Sequence, residues 1–226
     1  MRVAVILPAF NAEKWIADAL ASVAAQDPSP DQVIVVDDGS TDRTAEIAIG
    51  SGIQGLKVIQ QDQAGPAAAR NTALRNLDCE WVGFIDADDL WSQNKLACQL
   101  SLARANPDTD IWLGATEGVA LEDLKHFDSV IPAEFSSRPF FQLGAALIRK
   151  ELFDRIGLFD TSLQFGEDVD WGIRAKQHGA RIEVHPETVQ TYRRHSSNMT
   201  NDAEACRTDF MRVLKKSIDR RRAAEG

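Results

Sequence analysis

With 226 residues, 44% of them hydrophobic, the chain is long enough to bury the core of one α/β domain, and a net charge of −9 argues against a nucleic-acid-binding surface unless its few bases cluster tightly. Cys79, Cys98 and Cys206 are widely spaced with no C-x-x-C pair, so neither a disulfide framework nor a zinc site is expected, only three reduced thiols packed as small apolar groups. No window approaches the roughly 18 apolar residues of a membrane span, and the N-terminal apolar run, broken by Pro8, suits a first strand rather than a signal peptide, so a soluble cytoplasmic protein is expected.

VAVILP (3–8) is short, β-branched and closed by proline, and from Asn11 to Ala25 the residues Trp15, Ile16, Leu20 and Val23 recur at helical intervals. QVIVVDD (32–38) predicts a second strand, and Thr41 to Ile49 a helix with Ser40 and Thr41 as caps. KVIQQ (57–61) is a third strand, AGPAAARNTALRNL (64–77) a helix, and WVGFIDADD (81–89) a fourth strand. Continuous apolar strands alternating with helices imply a mostly parallel, Rossmann-like sheet covered on both faces, which binds ligands beyond the carboxyl ends of its strands. Asp37 and Asp38 of the second strand and Asp86, Asp88 and Asp89 of the fourth therefore emerge together at the ligand edge.

Asn94 to Asn106 predicts another helix and IWLGAT (111–116) a strand, whereas 117–139 is polar and irregular, with Pro132 and Pro139 as breakers. Residues 140–160 read as a strand into a short helix, Glu167 to His178 as a helix, and RIEVH (181–185) and VQTYRRH (189–195) as two strands. Ala203 to Arg222 predicts a helix with Phe210, Leu214 and Ile218 on one face, made basic by Arg212, Lys215, Lys216, Arg220, Arg221 and Arg222.

Three constellations carry chemistry. Carboxylates crowded at a strand end repel one another unless a cation compensates, and in Asp86-Ala87-Asp88-Asp89 hard oxygen ligands favour Mg2+ or Mn2+ over zinc; the alternative is acids that cap the next helix. In VVDDGSTD (35–42) Gly39 permits a tight turn and an aspartate can accept hydrogen bonds from a base or ribose, while Asp42 suits a helix cap. Glu167 and Asp168 open a helix after Gly166, where a general base or a dipole-stabilised first turn both fit, and charge alone does not choose between the two acids. Trp171 suits either a sugar-stacking platform or the core, and His195 after Arg193 and Arg194 either the surface or a site.

PAFN (8–11), VVDDGSTD (35–42), GPAAARNTAL (65–74), FIDADD (84–89), GLFD (157–160), GEDVDW (166–171) and YRRH (192–195) stand in the order and rough spacing of the family 2 glycosyltransferases, which the chain resembles from residue 3 to about 198. The resemblance implies a GT-A fold, a nucleotide-diphosphate sugar donor with a UDP-sugar as first expectation, a divalent metal, and inversion at the anomeric carbon. Carried over, it places Pro8, Ala9 and Asn11 around the nucleotide, Asp37 on the base with Asp38 beside it, and Arg70 near the nucleotide or in a structural ion pair with a strand-end aspartate. Asp86 and Asp88, flanking Ala87, match the D-x-D motif, with Asp88 the direct metal ligand, Asp86 toward the ribose and Asp89 a substitute ligand. Asp168 takes the general-base role with Glu167 as fallback, His195 completes the metal shell or touches the diphosphate, and Arg193 or Arg194 neutralises the leaving group.

The expected organisation is one GT-A domain over 1–202, with a nucleotide-sugar-binding half (1–110) and an acceptor-binding half (111–202), followed by a basic amphipathic tail (203–226). No further acceptor domain or membrane anchor is expected. Acceptor specificity falls on 112–145, the acceptor being a glycan, a lipid-linked sugar or another nucleophile. The basic helix raises peripheral contact with the inner membrane face as an alternative, while its acids Glu204, Asp209 and Asp219 favour a solvated helix or a frayed tail. A sugar-1-phosphate nucleotidylyltransferase lacks support, since PAFN stands where a glycine-rich loop with a phosphate-binding lysine would follow the first strand. A catalytically silent nucleotide-sugar-binding subunit is the non-enzymatic alternative.

Overall fold

The computed structural model describes residues 1–120 and 141–225. Most of segment 112–145, with Pro132 and Pro139, therefore lies outside the described residues. The first half alternates β1 (Val3–Ala9), α1 (Ile16–Ala24), β2 (Gln32–Asp37), α2 (Thr44–Gly50), β3 (Leu56–Gln60), α3 (Pro66–Leu74) and β4 (Trp81–Phe84). After it come β5 (Leu90–Trp91), α4 (Lys95–Ala105), β6 (Ile111–Ala120), β7 (Ala146–Arg149), α5 (Glu151–Ile156), α6 (Glu167–Gln177), β8 (Ile182–Arg194) and α7 (Ala203–Glu225).

The strands form one mixed sheet in the order β3-β2-β1-β4-β7-β6-β8-β5. The first four of that order run parallel, β7 is antiparallel to both β4 and β6, and β8 runs parallel to β6. Alternation along each strand sorts the core into two layers. Val5, Leu7, Val33 and Val35 face Ile16, Leu20 and Val23 of α1 and Leu96 and Leu100 of α4. Ile6, Ile34 and Val36 face Ala69 and Ala73 of α3, Phe153 of α5 and Trp171 of α6. Burying both faces is what makes the inner strands near-continuous apolar runs.

Several boundaries differ from expectation for local reasons. The helix expected from Thr41 begins at Thr44, because Asp42, not Ser40 or Thr41, accepts its first amide, Thr44 N, at 2.9 Å. Ser40 Oγ instead accepts Asn11 N at 2.9 Å. β4 ends at Phe84, so the carboxylates occupy a loop rather than the strand itself. The two strands expected over 181–195 are one strand, β8, interrupted in register rather than in course. Its ladder with β6 shifts between Leu113↔Val184 and Ala115↔Thr188, and Pro186, which cannot donate to a ladder, sits in that shift.

The last helix also departs from its expected face. Asp209, Val213 and Ser217 are the residues buried against the body of the protein, whereas Leu214 and Ile218 are 38% and 41% exposed. Polar contacts hold it: Gln177 Nε2 donates to Ser217 Oγ at 3.2 Å, Arg220 Nη2 to Asp170 Oδ1 at 2.9 Å, and Lys216 to Asp160. Among the described residues no helix is long and apolar enough to cross a membrane.

Candidate active site

The parallel strands β2, β1 and β4 all end at one edge, and the loops leaving them bring the predicted residues together. Pro8 and Ala9 lie in register with Val36 and Asp37, buried in the floor of that edge. Asn11 turns away in the left-handed region (φ 47°), accepts Thr41 N at 2.9 Å on its Oδ1, and so locks the first loop onto the second. Asp37 accepts Ser40 N at 3.1 Å and Gln60 Nε2 at 3.2 Å. Asp38 is more fully engaged, accepting Gln61 Nε2 at 2.7 Å, Ala64 N at 2.9 Å and Gly65 N at 2.7 Å. Gly39 (φ +80°) is required between them and the next loop, since a Cβ there would stand 2.9 Å from Gln63 N.

Beyond β4 the carboxylates divide. Asp86 reaches outward, its side chain 46% exposed, with Oδ1 accepting Arg70 Nη2 at 2.6 Å. Ala87 is buried. Asp88 Oδ2 meets His195 Nε2 at 3.2 Å and Asn198 Nδ2 at 3.0 Å, and burial together with Asp86 pushes its carboxyl above the usual range. Asp89 is fully enclosed: it accepts Gln190 Nε2 at 2.6 Å and Arg193 N at 3.0 Å, and burial, with Asp86 and Asp88, pushes it up to about 8. Asp89 thus ties the loop to β8 and is turned away from any substitute-ligand position.

His195 is fixed on three sides. Its Nδ1 is 2.9 Å from Ser197 Oγ, leaving Nε2 toward Asp88, and its ring stacks on Trp15 with centroids 4.7 Å apart. Arg193 departs from the expected diphosphate role, because its nitrogens are already committed: Nη1 to Asp18 at 2.9 Å, Nη2 to Trp15 O at 3.3 Å, and Nε to the Asp88 carbonyl. Only 5% exposed, it braces α1 against the loop. Arg194, one residue on and so on the opposite face of the strand, lies against Gly118 of β6, so the two arginines do not form one clamp.

A divalent cation is the group the fold would add here. Among the described residues no three His, Cys, Asp or Glu side chains gather around one point. What is offered is a hard carboxylate and an imidazole facing each other, Asp88 and His195, with Asp86 open beside them. That set fits Mg2+ or Mn2+, which is commonly held by one or two carboxylates and takes further oxygens from substrate phosphates.

Arg70 joins this loop to α6. It is buried on α3 and pairs through Nη2 with Asp86 and through Nη1 with Glu167, itself 6% exposed. Of its two expected roles, the guanidinium therefore occupies the ion pair. The pairing also separates the two acids that the sequence left equivalent. Glu167 is consumed by Arg70. Half-buried Asp168 accepts one hydrogen bond, from Val169 N at 2.7 Å, and burial and Glu167 push its carboxyl up to about 7 against the opposing pull of Arg70. Trp171 is core rather than platform: fully buried, it stacks on Phe153 at 4.4 Å and donates from Nε1 to Gly157 O at 2.9 Å.

Sequence reasoning missed Trp15 as a support for His195, and passed over Phe10, which stands exposed at the same edge. Phe10 is 44% exposed at the carboxyl end of β1, and a large apolar side chain open to solvent at a ligand edge was the signal available.

The glycosyl transferase family 2 model matches residues 4–159. The chain is 29% identical to the uncharacterized glycosyltransferase EpsJ of Bacillus subtilis over 222 residues, 88% of this chain and 62% of EpsJ. It is 32% identical to the succinoglycan biosynthesis protein ExoU of Rhizobium meliloti over 202 residues, 80% of this chain and 59% of ExoU. It therefore spans less than two thirds of either relative. Among solved structures, S. aureus TarS 1–349 in complex with UDP-GlcNAc superposes with a TM-score of 0.75 at 26% identity, covering 89% of this chain and 61% of that one. The mannosyltransferase PcManGT of Pyrobaculum calidifontis, in complex with GDP-Man and Mn2+, has a TM-score of 0.77 at 24% identity, covering 96% and 64%. The chain belongs to glycosyl transferase family 2 and has the GT-A fold.

Proposed function

We propose that this protein transfers a sugar from a nucleotide-diphosphate donor, a UDP-sugar, to an acceptor hydroxyl by a single displacement with inversion. One observation carries the reading: a single buried arginine ties the Asp86–Asp88 loop to α6, beside an aspartate whose pKa is raised to about 7 and which, among the described residues, forms no ion pair of its own. TarS binds UDP-GlcNAc, and the E. coli protein WfgD, 35% identical over 105 residues, is named a UDP-Glc:alpha-D-GlcNAc-diphosphoundecaprenol beta-1,3-glucosyltransferase. Both support a UDP-sugar, and the second supports a lipid-linked acceptor.

In this reading the acceptor oxygen attacks the anomeric carbon as the bond to the diphosphate breaks. Asp168 receives the acceptor's proton, and the nucleoside diphosphate leaves on the opposite side. A carboxyl with a pKa of about 7 suits that task, since at neutral pH a good share is ionised yet basic enough to take a proton in the transition state. Glu167 and Arg70 keep α6 at a fixed distance from the loop, and Asp37 with the exposed Phe10, at the carboxyl ends of β2 and β1, supports binding of the nucleoside at that edge. Asp88 and His195, with help from Asp86, would hold a divalent cation, which would supply positive charge to offset that developing on the diphosphate.

The test is nucleotide-diphosphate release from a panel of UDP-, GDP- and dTDP-sugars with Mn2+ or Mg2+, with and without chelator. Metal-dependent UDP release from one donor is the expected result. Release of pyrophosphate instead would identify a nucleotidylyltransferase, and UDP binding without turnover under any acceptor would leave a binding subunit.

The same reading includes contact with an anionic lipid surface at the cytoplasmic membrane face. Arg207, Met211, Leu214, Ile218 and Arg221 follow one another at alternating four- and three-residue steps, forming a single exposed seam on α7 away from its docked face. Lys215 and Arg222, also exposed, flank it, making this stripe positive on a chain of net charge −9. Sedimentation with phosphatidylglycerol vesicles should carry down the protein but not a Met211→Ser, Leu214→Ser, Ile218→Ser variant. Equal recovery of both in the supernatant rejects the contact.

A further inference from the structure

The loop that precedes the proposed base is anchored from a distance. Gln164 N and Phe165 N, the two amides before Gly166, both donate to Asp209 Oδ2 on α7, at 2.9 and 3.1 Å. Gly166 itself takes the left-handed conformation (φ 72°) that turns the chain into α6, and no side chain of its own segment caps that helix. Asp209 is 4% exposed, and its other oxygen accepts Arg212 Nη1 at 2.8 Å. Val213, one turn on, packs where a Gly166 side chain would project. Lys216 holds Asp160 and donates to Ser162 Oγ at 2.9 Å, fixing the start of the same loop. Residues 160–166 are thus gripped along their length by one face of α7, and Glu167 and Asp168 follow directly.

We propose that Asp209 is a positioning residue for the transfer reaction: its carboxylate fixes the backbone that aims Asp168, and α7 is part of the catalytic apparatus rather than an appended tail. Because Asp168 is half-buried at the first turn of α6, its orientation is set by where Gly166 begins that turn, and two charge-assisted hydrogen bonds to one oxygen determine it. Substituting Asp209 does not leave a dry void. The residue lines a polar cavity of about 420 Å3 shared with Ser162, Gln164, Thr208 and Arg212, so water can solvate the freed amides and the chain can fold without holding the loop in register. This inference rests on Asp168 being the base.

The test uses the full chain carrying Asp209→Ala, Asp209→Asn or Asp209→Glu, without donor for its first measurements. Hydrogen exchange of residues 164–168 in Asp209→Ala should accelerate on the order of 100-fold while the strands keep their protection. The Asp168 carboxyl, followed by carbon NMR, should titrate below its wild-type midpoint as the loop opens to water. UDP affinity with Mn2+ should stay within about twofold, because the β2 and β4 loops are not touched. Asp209→Asn should shift both loop readouts the same way by less, and Asp209→Glu should recover them in part. If Asp209→Ala does not fold, Asp209→Asn, which keeps the volume, decides. Unchanged exchange and an unchanged Asp168 midpoint in the variants overturn the proposal. With a donor in hand, Asp209→Ala should lose kcat on the order of 100-fold at an unchanged donor KM. An Asp168→Asn enzyme with full turnover would refute the base assignment while leaving the loop measurements standing, so the two failures are distinguishable.

Discussion

The turn after β2 and the loop after β4 both place aspartates at the same sheet edge, and the fold treats them oppositely. In the β2 turn the donors are amides: Asp38 accepts three of them, two from backbone, and Asp37 two. In the β4 loop, and on α6 facing it, an arginine and an imidazole join the amide donors, and each enclosed acid has a more open neighbour. Asp89 is enclosed where Asp88 is open on one side, and Glu167 is paired with Arg70 where Asp168 is not. Carboxylates satisfied by neutral donors build the loop. Carboxylates left with charge to share are the ones proposed to meet a cation or an acceptor proton.

Removing the open group should cost turnover, and removing a satisfied one should cost stability. The largest effect is expected from Asp168→Asn, with kcat falling roughly 10³-fold at a donor KM close to wild type. In the wild type, kcat/KM should climb through about pH 7. The linkage has a definite sign. The folded carboxyl holds its proton more tightly than the unfolded one, so stability is lost as pH rises from about 4 toward 7. Thermal melts at pH 8 should therefore show Asp168→Asn more stable than wild type, with the gap closing near pH 4. A variant that is slower and less stable at pH 8 would argue that Asp168 is structural.

A smaller effect is expected at His195. His195→Ala should weaken the apparent affinity for Mn2+, read by UDP release against metal concentration, by about 10- to 100-fold. Chelator should silence the wild type altogether, and a metal titration indistinguishable from wild type would remove His195 from the shell. The smallest effect on turnover is expected from Asp38→Ala. It orphans three donors and should lower unfolding free energy in urea by on the order of 3 kcal/mol while kcat falls only a few-fold. The reverse pattern would erase the distinction between the two loops.

The alternation of apolar strands and helices in the first half was legible because both faces of the sheet are buried, so each strand is apolar along its length. The strand-end aspartates were legible for the same reason, as charge follows abruptly on an apolar run. Pairing across long separations was not. Arg70 and Glu167 lie 97 residues apart, and nothing in GEDVDW reveals which acid an arginine on another helix will take. Trp15 beneath His195 and Asp18 on Arg193 are invisible for the same reason. The helix period of α7 was readable, but its docked face was not: periodicity marks the apolar seam, and this helix docks through Asp209, Ser217 and Arg220.

That polar docking has a consequence for the order in which the protein is made. The groups that hold the 160–170 segment are translated well after it: Asp209 follows Gln164 by 45 residues, Arg220 follows Asp170 by 50, and Lys216 follows Asp160 by 56. The β1 to β4 half needs nothing from α7 to pair, because β1 lies between β2 and β4 with β3 beside β2, all within the first 84 residues. A nascent chain stalled before residue 209 should thus present a formed β1–β4 edge and a protease-sensitive 160–166, the proposed aim of Asp168 withheld until α7 arrives.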